Sequence, residues 1–161
     1  MEKQFLIRAA KPADTSELMR LIGALAEYEK LSDMFVGTEA MLKDALFGAR
    51  PVCEALMAEL GGRAVGFALF FPSFSTFLCK PGIYLEDVFV EPEHRGAGIG
   101  KALLQRLAAL TLERGGGRFE WRVLDWNEPS IRFYESLGAA VMKEWLLVRL
   151  TGKPLERLAA R

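Results

Sequence analysis

The stretch from Tyr84 to Leu104, YLEDVFVEPEHRGAGIGKALL, restricts this chain more than any other, because few structures accommodate it. It reads as an apolar strand, a turn, then Arg95-Gly96-Ala97-Gly98-Ile99-Gly100 running into a helix with Ile99, Leu103, Leu107 and Leu110 on one face. Alternate glycines permit positive φ and remove Cβ atoms, leaving bare amides at the positive end of the helix dipole. Such a loop suits a pyrophosphate. The alternative is a tight turn with no ligand, which would have no need to give up the helix stability that glycines cost. Glu86 lies in the strand that feeds the loop, so the segment predicts an anionic cofactor held beside a general base.

Two familiar phosphate motifs fail on spacing. A Walker loop needs glycine where Arg95 stands, and Ala102 replaces the Ser/Thr that would hold magnesium. In the dinucleotide fingerprint the third glycine would come one residue later. With 21 basic and 21 acidic residues there is no cationic excess to draw nucleic acid. No apolar run approaches the ~20 residues of a membrane span, and Met-Glu-Lys does not open a signal peptide. Cys53 and Cys79 form neither a disulfide framework nor a metal pattern, so a reducing cytoplasm and no metal are expected.

At 161 residues the chain is expected to form one domain, 1–161. Strands are predicted over Gln4–Ala9, Pro51–Leu60, Ala64–Phe71, Ile83–Val90, Arg118–Asp125 and Val141–Leu150. Helices are predicted over Pro12–Lys30 (capped by Asp14 or Thr15), Thr38–Phe47, the segment after the glycines as far as Gly115, and Pro129–Leu137. Gly61-Gly62-Arg63 joins a hairpin, Phe74–Gly82 is a loop, and a short amphipathic tail starts at Thr151. The order β-α-α-β-β-β-α-β-α-β gives an α+β fold, a mixed and mostly antiparallel sheet with helices on both faces. Strict alternation puts Leu85, Asp87 and Phe89 on one face of the fourth strand and Tyr84, Glu86, Val88 and Val90 on the other.

This order and the Arg95–Gly100 motif resemble the GNAT family, the GCN5-related N-acetyltransferases, over essentially the whole chain. The likeness is to the diamine and polyamine N-acetyltransferase branch, through Tyr28-Glu29, Tyr84-Leu85-Glu86-Asp87, Trp126-Asn127-Glu128-Pro129-Ser130 and Phe133-Tyr134. It implies acetyl-CoA as cosubstrate, its pyrophosphate on the amides of Gly96, Ala97, Gly98, Ile99, Gly100 and Lys101, with Arg95 and Lys101 adding charge. It also implies that the pantetheine arm pairs with Val88, Phe89 and Val90, an amide near Val88 serving as oxyanion donor, and that Asn127 and Ser130 contact the cofactor. Residue reading alone makes Asn127 a helix cap, and the two roles are compatible.

An alkylammonium of pKa near 10.4 must lose a proton before it attacks a thioester. Glu86 between Tyr84 and Val88 is expected to be partly desolvated and to act as base; otherwise it anchors the cationic substrate. Asp87 reads as structural. Periodicity makes Phe133-Tyr134 core packing, whereas the resemblance makes Tyr134 the acid that protonates the leaving thiolate. His94 and Cys79 read as surface residues. By resemblance, Tyr28, Glu29, Glu86 and Glu144 surround the amine. Thr76 and Leu78 replace an aspartate and a tryptophan of the polyamine enzymes, Glu135 replaces a lysine, and Lys80 adds a positive charge. The acceptor is therefore a small primary amine: a diamine, a polyamine or a lysine-like amino acid. A homodimer is expected, through the apolar run Trp145 to Val148. The rival reading is a non-catalytic acyl-CoA-binding or sensor module.

Overall fold

The computed structural model of the protein describes residues 4–160. Contacts divide the chain into an N-terminal unit ending at Arg122 and a C-terminal unit beginning at Val123. The first unit is a five-stranded sheet in sequence order, β1 (Phe5–Ala9), β2 (Glu54–Leu60), β3 (Arg63–Ser75), β4 (Lys80–Val90) and β5 (Arg118–Trp121). The first three pairings are antiparallel and β4 runs parallel to β5. The parallel step follows from the crossover through α3 (Ile99–Glu113), which returns the chain to the same end of the sheet.

Alternation on the central strands sets the two layers. Ala55, Met57, Phe67, Leu69 and Phe89 pack with Leu18, Leu21 and Leu25 of α1 (Thr15–Tyr28) and Leu46 of α2 (Glu39–Phe47). The residues between them, Leu56, Ala58, Ala68 and Phe70, are buried on the face that α3 covers with Leu103 and Leu107. Thr38 caps α2, its Oγ1 accepting from the Met41 amide at 3.3 Å. Pro12–Asp14 is a separate 3-10 turn, and Asp14 accepts from the Lys11 amide and pairs with Arg8 instead of capping α1 through its side chain.

The predicted loop over Phe74–Gly82 is mostly strand: β3 runs on to Ser75 and β4 begins at Lys80, leaving a hairpin tip at residues 76–79. Gly82 is required there, because a Cβ would lie 2.6 Å from the Arg118 carbonyl of β5. The C-terminal unit holds α4 (Glu128–Ser136) and α5 (Gly152–Ala159). The strand predicted over Val141–Leu150 does not form: those residues have no ladder and are exposed throughout. β-propensity supplies no partner strand, and the backbone hydrogen bonds of this segment are local, the Lys143 amide donating to the Val141 carbonyl at 3.1 Å and the Trp145 amide to the Met142 carbonyl at 3.3 Å.

Candidate active site

Ladder register governs the chemistry of β4. Leu69 pairs with Asp87 and Phe70 with Leu85, so Glu86 is the unmatched residue of a β-bulge. The bulge overturns the expected alternation. Tyr84, Asp87 and Phe89, opposite Phe71, Leu69 and Phe67, share the α1 face, while Leu85, Val88 and Val90 share the α3 face with Phe70, Ala68 and Gly66. Glu86 is exposed, not partly desolvated. The ladder between β4 and β5 covers only Gly82–Leu85, so among the described residues Glu86–Val90 have no strand partner on that edge.

This open edge leads into the glycine loop. Gly96 and Gly98 have φ of +80° and +82°, and Gly98 is the N-cap of α3 in the left-handed region. A Cβ on either would meet nothing within 4 Å, so the space above the loop is open. The buried Ile99 side chain pins the first turn, leaving only its amide for a ligand. The first-turn amides of a helix lack intrahelical partners, and this turn carries Lys101 and no acid, the charge arrangement that favours an anion. Bare amides, open space and an unpaired strand edge fit a pyrophosphate with an extended arm.

On the α1 face the sheet meets an acidic group. Tyr28 is the last residue of α1 and Glu29 its C-cap; burial raises the Glu29 carboxyl. Burial, then the nearby charges of Glu86 and Glu29, raises Asp87 from 3.8 to about 6. Asp87, expected to be structural, thus joins Glu29 as a carboxyl raised by burial. Sequence reading missed it because a bulge depends on two strands at once. Because the folded-state value is the higher one, ionised Asp87 destabilises the fold. That penalty is fully present above pH 6 and gone below 3.8. Asp87→Asn is expected to stabilise the protein by about 2 kcal/mol at pH 7.5, with the gain shrinking towards pH 4. Melting curves at both pH values check this; an equal gain at both would contradict it.

Arg95, expected on the phosphates, has its guanidinium 4.5 Å over the Tyr28 ring and 5.6 Å from that of Phe89. Its Nε donates to the Val90 carbonyl at 2.9 Å. Before the loop, buried Glu91 accepts from Arg20 at 2.5 Å and Arg63 at 2.9 Å, with His94 Nε2 at 3.7 Å. His94 is half-buried, not a plain surface residue. This network fixes the end of β4, and no spacing signal marked Glu91 for it.

In the C-terminal unit Asn127 is buried and caps α4, its side chain accepting from the Ser130 amide at 3.4 Å. Tyr134 is half-buried on α4, its ring 5.5 Å from that of Phe133. Glu144 is exposed in the segment without a ladder.

The profile of the Acetyltransferase (GNAT) family matches residues 24–139. The thialysine N-epsilon-acetyltransferase of Sus scrofa is 38% identical over 97% of this chain and 98% of its own length. The L-ornithine N5-acetyltransferase NATA1 of Arabidopsis thaliana is 34% identical over 94% and 86%. Among solved structures, an integron cassette protein from the mobile metagenome of V. cholerae superposes with a TM-score of 0.83 at 25% identity, covering 100% of this chain and 99% of the other.

Proposed function

The chain belongs to the GNAT family of acetyltransferases, and on that premise we propose that it transfers the acetyl group of acetyl-CoA to a primary amine of a small molecule in a ternary complex. The observation that carries the reading is continuous: the Glu86 bulge, the open edge of β4 and the left-handed Gly98 cap follow one another along a single stretch of chain. The family match runs through both compact units, and we take residues 1–161 as one catalytic domain.

Acetyl-CoA supplies the acyl group as an activated thioester. The amides of Gly96–Lys101 hold its pyrophosphate, the free edge at Val88–Val90 aligns its arm, and an amide near Val88 donates to the developing oxyanion. Asn127 and Ser130 add cofactor contacts from the start of α4. Glu86, pushed out of the ladder and open to water, receives the ammonium and takes its proton. Glu29 and Asp87 supply further negative charge, and Glu144 a fourth carboxylate. Tyr134 returns a proton to the departing sulfur. Holding amine and thioester together provides much of the rate.

Acidic lining fits a cationic acceptor, and the relatives named for thialysine and ornithine favour a lysine-like amino acid over a polyamine. A thiol-release assay with diamines, polyamines and basic amino acids tests this. Binding of acetyl-CoA with no amine releasing CoA would support the non-catalytic acyl-CoA-binding module instead.

We also propose a homodimer in the cytoplasm, where the free thiols of Cys53 and Cys79 would stay reduced. No helix among the described residues is long and apolar enough to cross a membrane. Trp145 and Val148 are 71% and 91% exposed on a segment of strand-forming residues without a ladder, and a second copy would supply the missing partner. Sedimentation is expected to give a dimer at micromolar concentration, and Trp145→Asp with Val148→Asp a monomer. A wild-type monomer would contradict the dimer.

A further inference from the structure

Arg95 is the first residue of the glycine motif, and its side chain turns away from the loop. Its flat face covers Tyr28 at 4.5 Å, its Nε is engaged by the Val90 carbonyl at 2.9 Å, and it makes no ion pair among the described residues. A guanidinium stacked on a ring with its Nε committed to a carbonyl gives up both contacts if it swings to a phosphate. The residues on either side of this contact belong to different parts of the site. Arg95 precedes Gly96, the first left-handed residue of the cradle. Tyr28 ends α1 and precedes Glu29, whose charge is felt by Asp87. Beyond them Lys30 takes φ of +60°, the Leu31 amide turns back to donate to the Ala26 carbonyl at 2.8 Å, and residues 31–40 are exposed throughout.

We infer that Arg95 is a positioning residue that locks Tyr28 and Glu29 at the end of α1 to the mouth of the glycine loop, so that a pyrophosphate held on the loop orders the wall where the amine binds. The inference rests on the proposed use of this loop for CoA. Binding energy delivered to the loop restrains Arg95, and through the stacked ring it restrains the acidic end of α1. Cofactor and amine then reinforce each other's binding without touching Arg95.

Hydrogen exchange followed by mass spectrometry, with and without CoA, tests this on wild type, Arg95→Met and Tyr28→Leu, alongside calorimetric CoA affinities. In wild type, CoA is expected to slow exchange several-fold over residues 26–36. Both variants are expected to bind CoA within about threefold of wild type and to lose that protection. Tyr28→Leu leaves the loop sequence intact, so the test survives if Arg95→Met folds poorly. A tenfold or greater loss of CoA affinity in Arg95→Met alone would make Arg95 a phosphate ligand and overturn the inference. So would protection that persists in both variants, or is missing from wild type that binds CoA. A wild type that binds no CoA at all would instead defeat the functional reading on which the inference stands.

Discussion

Tyr134→Phe is expected to lower turnover by about 10²- to 10³-fold while leaving CoA affinity within about twofold of wild type. The substitution removes one oxygen and keeps the ring, so its packing with Phe133 and the helix around it persist. What it removes is a proton donor, and positioned acid–base groups contribute on the order of 10²–10⁴ in rate. A phenol can protonate a leaving sulfur as the carbon–sulfur bond breaks. Steady-state kinetics with the best amine, beside calorimetric CoA binding, separates this role from packing. Unchanged turnover would remove Tyr134 as the acid. A parallel loss of turnover and CoA affinity would make it a binding residue.

Gly98→Val is expected to weaken CoA binding by about 100-fold. Gly98 caps α3 with φ of +82°, a conformation that costs a β-branched residue on the order of 1–2 kcal/mol. Chain that relaxes from that conformation re-aims the first amides of α3, and a side chain that stays fills the open space above them. Backbone strain alone is controlled by Gly62→Val: its φ is +80°, also with nothing within 4 Å of a Cβ, in the β2–β3 turn away from the loop. That variant is expected to lose similar stability and keep its CoA affinity. Gly100→Ala should be nearly silent in folding, since its φ is ordinary and its Cβ meets only a Val90 methyl at 3.9 Å. Equal CoA affinity in wild type and Gly98→Val would take the pyrophosphate off this loop.

How much of this was legible beforehand differs residue by residue. The glycine loop was readable because positive φ is a demand made locally, and only glycine meets it cheaply. The Asn127 cap was readable for the same reason, since a cap is satisfied within three residues by its own helix. The bulge at Glu86 was not, because an unmatched residue exists only relative to the partner strand. Missing it put Asp87 beside Leu85 and gave Glu86 a shelter it does not have. The hairpin tip is shorter than its composition predicts because Phe74-Ser75 and Lys80-Pro81 pair across strands despite weak strand signals of their own. Val141–Leu150 failed the opposite way: strong strand composition found no ladder among the described residues. The motif points Arg95 to the phosphates, whereas the fold brings the Tyr28 ring, distant in sequence, to 4.5 Å from its guanidinium.

The central claim is acetyl transfer to a small primary amine, and thiol release measured over an amine panel tests it most directly. With acetyl-CoA fixed and saturating, thialysine, ornithine and lysine are expected to release CoA with the highest kcat/KM, diamines less, and spermidine least. Release that depends on none of these amines, from protein that binds acetyl-CoA, would contradict the account.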